Sequence, residues 1–238
     1  MVEKDFLVAD FICKNFLIGK LGLIDVGSHE GSFIKFLQNS CKNSIIIEPL
    51  PEKFEMICRA FQNAYKFNCA ISDVDGFADL YVTINFSQCS ALYDRPAYNE
   101  IKDLNDRKKI KIMTRRLDSI FDEISFKSLD IDSWYLKIDT EGYEMETLKS
   151  LGKYISSKNI VAGQFEYGGT WKERNLTLLE AVDFLSKNDF YIYRCTLDKN
   201  SFIFDKIVSC TDDYQYDNFF FVRKHIPLNI EKINANNF

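Results

Sequence analysis

Short, almost continuously apolar runs alternate along this chain with segments whose apolar residues recur three and four apart. Val2 to Leu17 predicts a leading helix, apolar on most faces. Leu21 to Val26 predicts a buried strand with Asp25 near its end, and Ser44 to Glu48 a second one that also closes on a carboxylate. Between them, Gly27 to Gly31 reads as a turn and Ser32 to Gln38 as a helix. Pro51 opens the next helix, where its missing N–H costs nothing. Phe54, Ile57, Cys58 and Phe61 form that helix's apolar face. Tyr65 to Ile71 reads as a third strand. After the turn at Asp73–Gly76, Ala78 to Ile84 alternates as a strand does. Asn85 to Lys109 has no clear period and reads as an insertion. Ile110 to Thr114 is a strand and Leu117 to Glu123 a short helix. Trp134 to Ile138 is a buried strand running into Asp139. Glu144 to Leu151 is a helix, and Ile160 to Phe165 a strand running into Glu166. Thr177 and Glu180 form a capping-box pattern before another helix. Tyr191 to Cys195 and Asn218 to Arg223 are late strands, and residues 224–238 read as a polar tail.

Buried strands separated by helices imply an α/β fold with a mostly parallel sheet covered on both faces. Ligands of such sheets bind beyond the carboxyl ends of the strands. Asp25, Glu48, Asp139 and Glu166 all fall at those ends, so the sequence points to one acidic site. Residues 1–238 read as one domain, with 1–19 as the leading helix and 85–109 as an insertion over the acceptor side of that site. Long aperiodic stretches in compact domains commonly serve as lids or binding loops.

Composition narrows the class. Apolar residues make up 46% of the 238 positions and aromatic ones 15%, enough for a sizeable core. The net charge of −5 argues against a nucleic-acid partner held by a global basic field. No apolar run approaches the roughly 18 residues of a membrane span. Seven cysteines, none in a C-x-x-C pair, read as free thiols of a cytoplasmic protein.

The turn Asp25-Val-Gly-Ser-His-Glu-Gly31 follows a strand and opens a helix. Glycines there let the backbone turn tightly and approach a ligand. A dinucleotide would call for G-x-G-x-x-G. Here the spacing is G-x-x-x-G, with a carboxylate two residues ahead. Asp25 would repel a pyrophosphate but suits a ligand carrying an ammonium and a sulfonium, such as S-adenosyl-L-methionine. Glu48, 23 residues after Asp25, can accept both ribose hydroxyls. Asp25, Gly27, Ser28, Gly31, Glu48, Ala70, Ile71, Ser72 and Asp73 are the expected cofactor-binding residues. Ser72 and Asp73 can equally cap their turn.

Five stretches then carry a family resemblance. They are Ile24-Asp-Val-Gly-Ser-His-Glu-Gly-Ser-Phe33, Ile47-Glu-Pro49, Asn68-Cys-Ala-Ile-Ser-Asp73, Arg116-Leu-Asp-Ser-Ile120 and Leu136-Lys-Ile-Asp-Thr-Glu-Gly-Tyr-Glu144. In this order they resemble the FkbM family of S-adenosylmethionine-dependent methyltransferases, over roughly residues 20 to 190. The K-I-D-x-E-G stretch is the most specific of them. The resemblance implies the class I methyltransferase fold, Rossmann-like, with a seven-stranded and mostly parallel sheet. It also implies methylation of a hydroxyl, often on a sugar, nucleotide-linked or in a glycan such as a surface polysaccharide.

Such chemistry needs the acceptor oxygen held in line with the methyl carbon and sulfur. It also needs a base for the hydroxyl proton. Asp139 is the first candidate, with capping of the next helix as its structural alternative. Glu141 can orient the acceptor or bind backbone N–H groups of the Gly142 turn. His29 can act as the base or serve only as a turn residue. Glu166, Tyr167 and Trp171 are the expected acceptor contacts, the rings stacking on a sugar or else packing as an aromatic corner. Asp139, Glu141 and Glu166 can also offer oxygen to Mg²⁺ or Ca²⁺. Nothing in their spacing demands an ion, and the expected site includes no metal. The six basic residues between Arg107 and Arg116 read as a solvated face or a diphosphate contact. Two other functions stay open on the residues alone. One is an NAD-dependent oxidoreductase; the other is a non-catalytic methyltransferase-like binding domain.

Overall fold

The computed structural model describes residues 3–41, 43–96, 104–157, 159–198, 201–209, 212–226 and 233–234. Val2 of the expected first helix, residues 97–103 of the insertion, Cys210 and most of the 224–238 tail lie outside the described residues.

The chain opens with α1 (Lys4–Phe16), β1 (Leu21–Val26), α2 (Ser32–Leu37), β2 (Asn43–Ile47), α3 (Pro51–Ala60) and β3 (Tyr65–Phe67). β4 (Ala70–Ile71), β5 (Gly76–Thr83), β6 (Arg107–Arg115) and α4 (Leu117–Glu123) follow. Next come β7 (Ser133–Ile138), α5 (Glu144–Ser150), β8 (Ile160–Tyr167), α6 (Gly169–Glu173) and α7 (Leu178–Lys187). The chain closes on β9 (Phe190–Asp198), β10 (Ser201–Ile207), β11 (Asp217–Arg223) and β12 (Ile233–Asn234).

The main sheet runs β12-β10-β9-β11-β8-β7-β1-β2-β3. From β3 through β8 neighbouring strands are parallel. β11 inserts antiparallel between β8 and β9. The seven strands from β3 to β9 are the expected mostly parallel sheet, and β10 and β12 extend its far edge.

Alternation along the central strands assigns side chains to two faces. Ile24, Val26, Ile45, Ile47, Leu136 and Ile138 join the residues of α4, α5 and α7 in one core. Leu23, Ile46 and Tyr135 face the other way, into a core with α1, α2 and α3. Asp25 and Lys137 take the same parity as Leu23 and Tyr135, and they stand directly opposite each other across β1 and β7. A strand covered on both faces normally carries only apolar residues. This facing acid and base are therefore an exception that needs a cause.

Several elements differ from their sequence reading, among them the unexpected α6 and the β12 strand in the expected tail. The expected strand Tyr65–Ile71 is split, with β3 in the main sheet and β4 in a second sheet ordered β4-β6-β5. Asn68 sits at the break and donates to the Glu48 and Pro49 carbonyls at 2.8 and 3.1 Å, turning the chain out of the sheet. The insertion ends before Arg107, because Arg107–Lys109 already pair with β5 as part of β6. β10 was not expected. Its alternating Phe202 and Phe204 are buried against Phe11 of α1, which supplies the missing partner. The expected cap of α7 is present: the Thr177 hydroxyl accepts the Glu180 N–H at 3.3 Å.

Arg223, at the end of β11, is buried, and among the described residues no carboxylate forms an ion pair with it. Its guanidinium donates to the carbonyls of Ile160, Asn188, Ile155 and Ser157 at 2.6–2.9 Å, tying the start of β8 to the end of α7. Burial lowers its pKa below the ordinary arginine value. Arg223→Met keeps much of the bulk but orphans these carbonyls. It should lower the unfolding free energy by at least about 2 kcal/mol, since each unsatisfied buried group costs about 1–3 kcal/mol. Denaturant unfolding measures this.

Candidate active site

The parallel register aligns Val26 with Ile47 and Ile138, and Ile138 with Phe165. The carboxyl ends of β1, β2, β7 and β8 therefore finish level. A cavity of about 330 Å³ opens there. One end is mostly apolar, lined by Ile47, Leu50, Cys69, Ala70, Ile71 and Leu80. The other is lined by Asp139, Thr140, Glu141, Tyr143 and Glu166. Ser87, Gln88, Ser90 and Leu92 add a wall from the described part of the insertion, and Tyr216 another.

Gly27 lines the cavity with φ +76°, and a Cβ there would stand 1.7 Å from the Asp139 carbonyl oxygen. Only glycine lets the β1 and β7 loops approach this closely. Gly27 and Ser28 donate their N–H groups to the Ile47 carbonyl at 3.0 and 3.2 Å. Glu48 fixes the next step. Its two oxygens accept the backbone N–H groups of His29 at 2.7 Å and Leu50 at 2.9 Å. Burial pushes its carboxyl up to about 7 despite those two donors. His29 itself holds φ +50°, and its Nε2 lies 2.9 Å from the Ser87 hydroxyl. Partial burial, helped by the Lys53 charge, lowers the His29 pKa and favours the neutral ring.

At the acidic end, one carboxylate oxygen from each of Asp139, Glu141 and Glu166 lies within 4.8 Å of the others. Burial raises Glu141 to about 8, with Asp139 repulsion adding and Arg95 opposing. Arg95 donates to Glu141 at 2.8 Å and to Glu173 at 3.0 Å. Glu166 is held well above the usual carboxylate range by burial and by the charges of Asp139, Glu141 and Glu144. Tyr216 lines the cavity with Glu166, while the tyrosine as a whole is 71% exposed.

Beneath the cavity lies Lys137. Its Nζ is 3.0 Å from the Gly27 carbonyl, 3.1 Å from Asp139 Oδ2 and 3.4 Å from Asp25 Oδ1. Burial disfavours its charge, but Asp139 and Asp25 outweigh burial and hold the ammonium above the ordinary lysine value.

Of the expected site residues, Gly27, His29, Glu48, Ala70, Ile71, Asp139, Glu141 and Glu166 line the cavity. Six others do not. Asp25 is fully buried behind the loop, where Ser28 donates to it at 2.7 Å, so it offers no carboxylate to a ligand. Ser28 is spent on that bond. Gly31 caps α2 with φ +76° and packs on Phe61. Ser72 bonds Asp73 at 3.0 Å, which is the turn-capping alternative. Tyr167 and Trp171 are buried at 1% and 0% exposure and form the aromatic corner. Trp171 Nε1 donates to the Glu166 carbonyl, and the Tyr167 phenol to Asp212, each at 2.9 Å. The backbone-binding role considered for Glu141 belongs to Glu144. A single Glu144 oxygen accepts the N–H groups of Thr140 and Gly142 at 2.9 and 3.1 Å. Asp139 does not cap α5, whose N-cap Tyr143 makes no side-chain bond.

Sequence reasoning passed over Lys137, Tyr216 and Arg95, while the Ser87–Leu92 wall belongs to the insertion expected over this side of the site. Lys137 had a signal: a lone lysine inside the apolar run Trp134–Ile138. Tyr216 had none, since its loop carries no period.

A family model described as the methyltransferase FkbM domain matches residues 25–192. No curated protein matches the chain. Among solved structures, the precorrin-6y C5,15-methyltransferase from Geobacter metallireducens GS-15 is similar at 10% identity and a TM-score of 0.44, over 94% of this chain and 90% of that one. An rRNA methylase from Streptococcus thermophilus is similar at 10% identity and a TM-score of 0.47, over 94% and 98%. TrmK of M. capricolum in complex with S-adenosyl-homocysteine is similar at 10% identity and a TM-score of 0.43, over 97% and 73%.

The raised carboxyls give stability a sign with pH. Burial holds Glu48 and Glu144 at about 7, against an ordinary 4.5. Between those values the folded chain keeps protons that the unfolded chain has released. Their contribution is complete below pH 4.5 and is lost as pH rises through 7. The thermal midpoint of the free protein should therefore fall between about pH 5 and 8. Glu144→Gln keeps the shape and has no proton to lose, so it should flatten that slope. A slope unchanged in the variant would clear Glu144 of the effect. Gly27→Ala should separate the two loops and lower the thermal midpoint by several degrees, at about 1–3 kcal/mol for a forced overlap.

Proposed function

The chain belongs to the methyltransferase FkbM family, and on that premise we propose that it methylates a hydroxyl of a sugar, nucleotide-linked or within a glycan. The cofactor is S-adenosyl-L-methionine, which supplies a methyl group already activated on sulfonium.

The cavity residues fit that cofactor. Ile47, Leu50, Ala70 and Ile71 form an apolar slot of the kind an adenine ring needs. Glu48 stands at the end of β2 with both oxygens anchored by backbone N–H groups. Each oxygen keeps a lone pair free for a ribose hydroxyl. Gly27 brings bare backbone to the cavity wall. The acidic wall opposite would repel the pyrophosphate of NAD.

The observation that carries the reading is the placement of Asp139. Its side chain is 37% exposed, ends β7 against the Gly27 loop, and has one oxygen on Lys137. The other oxygen is left to receive the acceptor's proton as that oxygen attacks the methyl carbon. Glu141 and Glu166 accept from neighbouring hydroxyls and orient the acceptor. His29, neutral and bonded to Ser87, buttresses the cofactor loop. Tyr216 takes the ring-stacking role first expected of Tyr167 and Trp171. We read the whole chain as one domain, with the insertion covering the acceptor side. The net charge of −5 favours a carbohydrate over a nucleic acid. The free cysteines among the described residues fit a reducing cytoplasm.

The close trio of carboxylates favours a second reading of the activation step alone. Asp139, Glu141 and Glu166 can supply oxygen ligands to Mg²⁺, which would then lower the acceptor's pKa.

Calorimetry should find binding of S-adenosylmethionine and S-adenosylhomocysteine and none of NAD; the reverse pattern would overturn the proposal. Glu48→Ala should weaken S-adenosylhomocysteine by about ten- to a hundredfold, the worth of charge-assisted hydrogen bonds. With uridine-diphosphate hexoses as acceptors and labelled methyl as the readout, Asp139→Asn should lower kcat by about a hundred- to ten-thousandfold. Loss of turnover with chelator, restored by Mg²⁺, would assign activation to the ion. Cofactor binding with no transfer to any hydroxyl acceptor would favour a binding domain.

A further inference from the structure

A lysine ammonium inside a two-sided parallel sheet is expensive to desolvate unless its partners require it there. Lys137 is 7% exposed, and its three partners come from three different places. Asp25 lies opposite it in register on β1, and the Gly27 carbonyl belongs to the loop that follows. Asp139 stands two residues on, at the end of β7. The Lys137 ammonium also lies 5.9 Å from the Phe33 ring of α2, the helix the glycine turn opens.

The arrangement is directional. Asp25 is fully buried, and among the described residues its Oδ1 makes no hydrogen bond, with the Lys137 ammonium 3.4 Å away. The Gly27 loop already leaves the sheet through the Ile47 carbonyl on its β2 side. Lys137 holds the same loop from its β7 side. The loop is thus pinned from both neighbouring strands, and one of the pins also grips Asp139.

We infer that Lys137 is the positioning residue of this site. It fixes the Gly27 backbone against Asp139, so that the cofactor loop and the acceptor's base keep one geometry. Asp25 is its counter-ion within the sheet and not a ligand of the cofactor. This inference rests on the methyltransferase reading above, and it assigns Asp25 a different role from the one its place before the glycine turn implies.

The test uses S-adenosylhomocysteine as the probe, with calorimetric affinity and thermal midpoint measured on the full chain. Asp25→Asn alone should bind the probe as the wild type does, since Lys137 still holds the loop. The pair Asp25→Asn with Lys137→Met removes both buried charges together. It should fold with a midpoint close to the wild type yet bind the probe about tenfold or more weakly, as expected when one charge-assisted hydrogen bond at the loop is lost. If that pair does not fold, Asp25→Asn with Lys137→Gln replaces it and should show the same weakening. Wild-type affinity in a folded double variant would overturn the inference and leave the function standing. Loss of affinity in Asp25→Asn alone would also overturn it, because the loss would then belong to Asp25. A wild-type chain that does not bind the probe would overturn the methyltransferase reading itself.

Discussion

The carboxyl edge of this sheet crowds acids together, and much of the local structure exists to tolerate them. Asp25, Glu48, Asp139, Glu141 and Glu166 arrive there on adjacent strand ends, with Glu144 fully buried behind. Like charges this close cannot all ionise in a poorly solvated pocket. The fold answers in three ways. Lys137 and Arg95 bring positive charge to Asp25, Asp139 and Glu141. Backbone N–H groups bind Glu48 and Glu144. Protonation takes up the remainder, since burial raises Glu48, Glu141, Glu144 and Glu166 above their ordinary values.

The same edge explains the glycine turn. The two loops that carry the acids must touch, and at Gly27 they touch backbone to backbone. A turn often read as serving a ligand is here also a packing requirement of the protein itself. Gly31 shows the same dual character with the opposite emphasis, since its missing side chain leaves room for Phe61 and not for the cavity.

The sheet was legible because two-sided burial leaves an almost unbroken apolar run, as in β1, β2 and β7. The acids were legible because each stands where such a run stops. What could not be read was which side of its strand each acid faces. Asp25 and Asp139 look alike in sequence, but Asp25 lies one residue inside β1 and turns under the loop, whereas Asp139 lies one residue past β7 and reaches the cavity. That single-residue difference decides whether the carboxylate is buried in the sheet or opens to the cavity. Tyr167 and Trp171 were misplaced for a similar reason. A strand-end aromatic can face the core as easily as the mouth, and here both are buried. Tyr216 was invisible because its loop is held by contacts distant in sequence, among them the stacking of Tyr214 on Tyr167 and the Tyr167–Asp212 bond.

The account turns on Glu48 and Asp139 addressing opposite ends of one bound cofactor. A crystal structure with S-adenosylhomocysteine tests that most directly. The ribose hydroxyls should lie within about 2.6–3.0 Å of the Glu48 oxygens. The sulfur should face the Asp139 side of the cavity. A ribose bound away from Glu48, or a sulfur turned from the acidic wall, would contradict it.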